Sequence, residues 1–109
     1  MAKIHIDKAT NKQLDYAAAV ALGWKKRKFK PAPMWAENGI LRCWDDYEPT
    51  TDQAQCGDLI DKHGISTELK DGLWTARLTQ YDKDKSRLVA AVKAFLWSKY
   101  PDGMIEVQD

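Results

Sequence analysis

The sequence predicts an α+β domain in which two β-hairpins build an antiparallel sheet and three helices pack on it, in the manner of an α–β–α sandwich. Three stretches carry apolar residues at helical spacing, and each begins near a capping residue. They alternate with two stretches that turn at Asn38-Gly39 and Asp71-Gly72. A chain of 109 residues with 44% hydrophobic content is enough for one core, so we expect a single domain over residues 1–109.

The first helix is predicted from a capping box. Thr10 stands at the N-cap and Gln13 at the third helical position, where its side chain can return to the Thr10 amide. Leu14 and several alanines follow at helical spacing, and Gly23 supplies the left-handed residue that ends a helix. Before this helix, residues 1–6 alternate weakly and predict a short edge strand.

The first hairpin joins Met34–Glu37 to Ile40–Asp45 through a two-residue turn. That turn sets Trp35 opposite Arg42 and gives the sheet two distinct faces. One face then carries Trp35, Glu37, Ile40, Arg42 and Trp44. The other carries Met34, Ala36, Leu41 and Cys43, which we expect to be core. The preceding residues 25–33, a basic run followed by two prolines, predict an extended connection.

The second helix is predicted to begin where Tyr47-Glu48-Pro49 stops the preceding strand. Thr50 or Thr51 is the expected N-cap, and from Thr50 a capping box would close with Gln53. Gly64 is expected to end this helix.

The second hairpin is predicted from Ile65–Leu69 and Trp74–Leu78, while the polar stretch Asp82–Lys85 predicts a loop. Ser86 then caps a final helix with a broad apolar stripe, and Pro101 stops it. The tail at residues 104–107 offers one further edge strand.

Composition excludes several classes of function. The formal net charge is +1, so no overall field favours nucleic acid or a membrane surface. No apolar run approaches membrane length, and the first residues lack an apolar leader, which together indicate a cytoplasmic protein. Cys43 and Cys56 have no C-x-x-C spacing and are expected as reduced thiols. With His5 and His63 they show no ligand spacing, so neither a metal nor a cofactor is predicted.

The sequence also predicts that the protein is not an enzyme. Cys56 and His63 lie two turns apart on one helix, too far for a hydrogen bond between nucleophile and base. A hydrolase would have to depend on Asp52, His63 or Cys56, and their spacing does not favour it.

Several motifs resemble those of small phage and prophage proteins, the NinX-like family, also described as a phage alpha-beta-alpha sandwich domain. The longest is Tyr47–Gly57, which follows the pattern Tyr-x-Pro-Ser/Thr-Thr-Asp-x-Ala-Gln-x-Gly. Shorter matches lie at 14–17, 59–65, 74–76 and 90–99. The resemblance implies a phage origin, and hence the cytoplasm of a bacterial host, together with the fold. It implies no particular chemistry.

A candidate ligand site lies on the first hairpin and the start of the second helix. An arginine between aromatic rings can stack a base and hold its phosphate, and free amides at a helix start can receive an anion. The residues of this predicted site are Trp35, Arg42, Trp44, Tyr47, Thr50 and Thr51. Packing is the alternative, because burial is the usual use of tryptophan and capping the usual use of threonine.

The functional hypothesis is a non-catalytic phage protein that counters host defence by sequestering a nucleotide-derived small molecule, as a homo-oligomer. The alternative hypothesis is that the chain blocks a host defence protein through a basic segment. A basic segment of this kind can also be a solvated linker that binds no partner. The predicted partner-binding residues are Lys25, Lys26, Arg27, Lys28 and Lys30.

Overall fold

The computed structural model describes residues 3–23, 25–27, 34–37, 40–43, 47–78 and 81–106; it gives the backbone alone for 25–27, 34–37, 40–43 and Tyr81. The helices are α1 (Asn11–Ala21), α2 (Gln53–His63) and α3 (Arg87–Lys99), and a 3-10 turn spans Ile6–Lys8. The strands are β1 (Lys3–His5), β2 (Lys25–Arg27), β3 (Met34–Glu37), β4 (Ile40–Cys43), β5 (Ser66–Lys70), β6 (Leu73–Arg77), β7 (Tyr81–Asp84) and β8 (Met104–Glu106). The predicted α+β class is confirmed.

The described strands form three antiparallel sheets, with orders β1-β8, β2-β3-β4 and β5-β6-β7. Both predicted hairpins are present, but in the described residues they lie in separate sheets, not in the one sheet predicted, because each hairpin pairs with a third strand of its own. The two predicted terminal edge strands are also present and pair with each other. None of the helices in the described ranges is both long and apolar enough to cross a membrane.

Helix α3 is the central element of the core. It packs on all three strands of the β5-β6-β7 sheet and also contacts α1 and α2. A helix that is covered on several sides must be apolar around most of its circumference. Its buried residues are Val89, Ala90, Ala91, Val92, Ala94, Phe95 and Leu96. The small residues of α3 and the buried alanines of α1 allow these two helices to approach closely.

The caps of α1 and α3 are those that the sequence predicts. Thr10 Oγ1 accepts a hydrogen bond from the Gln13 amide at 3.2 Å, and Gln13 Oε1 accepts one from the Thr10 amide at 2.9 Å. Ser86 Oγ accepts a hydrogen bond from the Val89 amide at 3.3 Å. These interactions join residues three apart, so the local sequence determines them.

The predicted cap of α2 was wrong. Asp52, not Thr50 or Thr51, is the N-cap, and its carboxylate accepts a hydrogen bond from the Gln55 amide at 3.0 Å. A turn precedes the helix, because the amides of Thr51 and Asp52 both donate to the Glu48 carbonyl oxygen, at 3.0 and 2.8 Å. The turn delays the helix start, and Gln53 becomes its first residue rather than the third.

The predicted loop at Asp82–Lys85 was also wrong over most of its length. Tyr81–Asp84 is strand β7, which pairs with β6. Its two carboxylates have partners on α3: Trp97 Nε1 donates to Asp82 at 2.9 Å, and Lys93 Nζ lies 3.5 Å from Asp84. The polar composition of this edge strand is therefore balanced by partners from another element.

The basic run is a strand where the structure describes it. Lys25–Arg27 forms β2 and pairs with β3, in agreement with an extended conformation. The remainder of the predicted connection, residues 28–33, lies outside the described residues, as does the Asn38-Gly39 turn.

Candidate functional site

The β2-β3-β4 sheet aligns two cationic residues with a tryptophan. Lys26 pairs with Trp35 in the β2–β3 register, and Trp35 pairs with Arg42 in the β3–β4 register. Paired residues in adjacent antiparallel strands share a face of the sheet. Lys26, Trp35 and Arg42 therefore form one row across three strands, which we call the cation–aromatic row. The predicted opposition of Trp35 and Arg42 is confirmed.

The opposite face receives the neighbouring residues of β2. Lys25 pairs with Ala36, and Arg27 pairs with Met34. The alternation of the strand thus separates three consecutive cations, with only Lys26 on the side of Trp35. Sequence reasoning assigned Lys26 to the basic segment alone. The pairing of β2 with β3 spans residues 28–33, and no local signal predicts it.

Three predicted site residues lie outside the described residues. They are Trp44 of the ligand site and Lys28 and Lys30 of the basic segment. Their roles stay predictions.

The segment Tyr47–Asp52 packs down onto α1. Tyr47 and Pro49 are buried, and Thr50 is only 2% exposed. Thr50 donates twice to the Asp15 carboxylate, from its amide to Oδ1 and from its hydroxyl to Oδ2, each at 2.9 Å. This two-bond contact, which we call the Asp15–Thr50 latch, joins residues 35 positions apart. It fixes the approach to α2 against α1.

Burial raises the pKa of the Asp15 carboxyl from 3.8 to about 6. The side chain is only 8% exposed, and removing a carboxylate from water disfavours its charged form. The two hydrogen bonds from Thr50 act in the opposite direction, and the nearby charge of Glu48 adds to the increase. Sequence reasoning did not single out Asp15, although it lies among Leu14, Ala18 and Ala19 on the buried side of α1. The sequence signal that could have identified it is the position of an acidic residue within the apolar stripe of α1.

The latch bears on the predicted anion site at the start of α2. Both donors of Thr50 bind Asp15, and the Asp52 carboxylate already receives an amide of the first helical turn. Thr51 is exposed, and its hydroxyl donates to the Glu48 carbonyl oxygen at 3.4 Å. The structure thus gives Thr50 and Asp52 intramolecular roles. Ligand binding by Tyr47, Thr50 and Thr51 stays a prediction.

Two further titratable residues lie on α2. Cys56 is fully buried, and its Sγ lies 3.7 Å from the Leu88 carbonyl oxygen. Burial raises the pKa of its thiol to about 11, which keeps the sulfur protonated near neutral pH. The His63 ring packs on the Phe95 ring, with 4.7 Å between the ring centroids. Burial lowers the pKa of the His63 imidazole, and so do the positive charges of Lys99 and Lys62. These environments are typical of packed side chains rather than of an activated nucleophile and its base.

The fold and the partly buried Tyr47–Gly57 segment define the class, a small α+β protein whose most distinctive motif joins its helices. A comparison with protein families gives the particular family. The profile described as "Bacteriophage P22, NinX" matches residues 1–99. The chain belongs to this phage family, and the resemblance found in the sequence is confirmed. No curated protein matches the chain.

Proposed function

We propose that this chain is a non-catalytic phage protein that counters host defence by binding and sequestering a nucleotide-derived small molecule on the cation–aromatic row. The observation that carries the proposal is the double register that sets Lys26, Trp35 and Arg42 side by side. Indole and guanidinium groups are the recurrent means by which proteins hold a base and its phosphates.

The dimensions of the row suit a nucleotide. Adjacent strands lie roughly 4.8 Å apart, so the cationic positions flank the tryptophan at about that distance on each side. Stacking of a base on an indole contributes about 1–3 kcal/mol, and a guanidinium can pair with phosphate through two parallel hydrogen bonds. In this proposal Trp35 stacks on the base, while Arg42 and Lys26 hold phosphate.

Isothermal titration against a panel of linear and cyclic nucleotides tests the proposal. We expect Trp35→Ala, Arg42→Ala and Lys26→Ala each to weaken binding by about fivefold or more, since each removes a contact of about 1–3 kcal/mol. Lys25→Ala is the matched control, because it removes the same charge from the neighbouring position on the other face. Absence of binding to every nucleotide, or equal effects of Lys25→Ala and Lys26→Ala, would refute binding by the row.

Sequestration without catalysis makes a separate prediction. A ligand incubated with the protein and then released by denaturation should be recovered with unchanged mass. In cells that carry a nucleotide-signalled defence, the wild-type protein and Lys25→Ala should restore phage plaques, whereas Lys26→Ala should not. A ligand recovered as a hydrolysis product would establish an enzyme instead.

The edge position of β2 favours a second candidate, a protein-binding inhibitor. In the order β2-β3-β4, the strand that carries Lys25, Lys26 and Arg27 is at the edge, where an acidic host protein can reach it. Association would then weaken with salt and respond to total charge rather than to one face. Equal losses from Lys25→Ala and Lys26→Ala in a salt-dependent pull-down would support this candidate over the first.

A further inference from the structure

Strand β5 is an exposed edge. In the part of the chain that the structure describes it pairs only with β6, and four of its five residues are exposed. It contains no proline, and its Leu69 is 57% exposed, against 37% for Leu73 at the start of β6. Edge strands present unpaired amides and carbonyls that can pair with another strand, and proteins usually protect them. A partner strand for β5 would cover both the backbone groups and Leu69.

The turn of this hairpin determines which backbone groups face outward. Asp71 and Gly72 have φ values of 54° and 79°, as in a two-residue type I′ turn. The flanking pair, Lys70 and Leu73, is the hydrogen-bonded pair of such a hairpin. Because the pattern alternates, the amide and carbonyl groups of Leu69 and Thr67 point away from β6. An antiparallel partner must set its own outward-pointing residues opposite these two.

A second copy of β5 meets this requirement, and its charges select one register. When the pairing is centred on Leu69, Glu68 lies opposite Lys70 of the other copy, and by symmetry this attractive pair occurs twice. When it is centred on Glu68, two glutamates lie opposite each other. When it is centred on Thr67, Glu68 faces Ser66 and neither charge has a partner. The register centred on Leu69 is therefore the one with charge complementarity.

The two charged residues of β5 lie opposite uncharged residues of β6. Their cross-strand neighbours on β6 are Thr75, opposite Glu68, and Leu73, opposite Lys70. Neither Glu68 nor Lys70 makes an ion pair with any described residue. A partner copy would supply both with an opposite charge.

The apolar side of the same register is continuous across the two copies. Leu69 pairs with Trp74 on the face that also carries buried Ala76, so a Leu69–Leu69 contact would extend into a row with a tryptophan at each end. Arg87, at the start of α3, lies over the Trp74 ring at 5.8 Å and donates to Thr67 Oγ1 at 3.1 Å. The helix thus covers Trp74 and leaves Leu69 open.

From this geometry we infer that the protein forms a twofold dimer in which the β5 strands of two copies pair antiparallel about Leu69. The two β5-β6-β7 sheets then form one six-stranded sheet, with Glu68 of each copy paired to Lys70 of the other. This inference does not depend on the proposed ligand.

Charge reversal tests the register directly by sedimentation equilibrium. Glu68→Lys and Lys70→Glu each replace two attractive pairs by two repulsive ones, so each variant alone should dimerise at least about tenfold more weakly than wild type. An equimolar mixture of the two variants should form a heterodimer, because every facing pair is again opposite in charge. The double variant Glu68→Lys/Lys70→Glu should again form homodimers.

Lys85→Glu is the matched control, since it makes the same charge change at an exposed position outside β5. It should dimerise like wild type, and circular dichroism should show all variants folded. A monomeric wild type at about 0.1 mM would overturn the inference. Single variants that dimerise normally, or a mixture that stays monomeric, would overturn it too. Protection of β5 amides from hydrogen exchange only in the presence of an added extended peptide would assign the edge to a foreign strand instead.

Discussion

Replacement of Asp15 by asparagine should remove a specific pH dependence of stability. The pKa of this carboxyl is about 6 in the folded protein against 3.8 ordinarily, a difference worth about 3 kcal/mol. Because the folded-state pKa is raised, the folded protein holds the proton more tightly than the unfolded chain. The contribution of Asp15 to stability is therefore most favourable below about pH 4, declines as the pH rises to about 6, and is constant above. Asparagine at position 15 cannot ionise and should lack this decline.

Urea denaturation of the wild type and of Asp15→Asn between pH 3.5 and 7.5 measures the effect. The contributions of the other titratable groups cancel when the two free energies of unfolding are subtracted. The free energy of unfolding of the wild type minus that of Asp15→Asn should fall by up to about 3 kcal/mol across this range. Thr50→Val provides the second measurement, because it removes the hydroxyl that donates to Oδ2. It should cost more at pH 7.5 than at pH 3.5, since hydrogen bonds to an ionised carboxylate are stronger. A wild-type minus Asp15→Asn difference that is constant or rises with pH would refute this explanation of the latch.

Three further predictions concern single positions. Gly103→Ala should destabilise the protein by at least about 2 kcal/mol in thermal unfolding, because φ is +75° and a Cβ would lie 2.6 Å from Cη2 of Trp97. Cys56, buried and with a raised pKa, should react with a thiol reagent at pH 8 only after denaturation, as judged by peptide mass spectrometry. Asp52→Ala should cost about 1 kcal/mol in urea denaturation as the loss of an N-cap, whereas Thr51→Ala should change stability by less than about 0.5 kcal/mol; equal costs would contradict the observed cap.

The features predicted correctly from the sequence are those whose determinants are close together along the chain. The Thr10 capping box, the Ser86 cap and the Asp71-Gly72 turn each depend on residues at most three positions apart. The opposition of Trp35 and Arg42 follows in the same way from the two-residue spacing between Glu37 and Ile40. In each case no distant element had to be known.

The features predicted incorrectly depend on distant partners. Three residues in succession, Thr50, Thr51 and Asp52, are all good N-caps. The choice of Asp52 depends on the turn that precedes it and on the contact of Thr50 with the distant Asp15. The sequence of strand β7 is typical of a loop because three of its four residues are charged. The indole nitrogen of Trp97, which binds Asp82, lies 15 positions away along the chain. The placement of Lys26 beside Trp35 has the same origin, since β2 was not predicted as a strand.

The motif that carries the family resemblance serves mainly to hold the protein together. Within Tyr47–Gly57, the buried residues pack on the core, Thr50 binds Asp15 and Asp52 caps α2. A motif whose polar groups are bonded internally reports the fold and has few groups left for a ligand. Residue types suited to recognition lie together elsewhere, in the row of Lys26, Trp35 and Arg42 that the backbone register forms. If Lys26→Ala and Lys25→Ala prove equivalent in every assay, that row has no special role, and the basic edge as a whole becomes the functional surface.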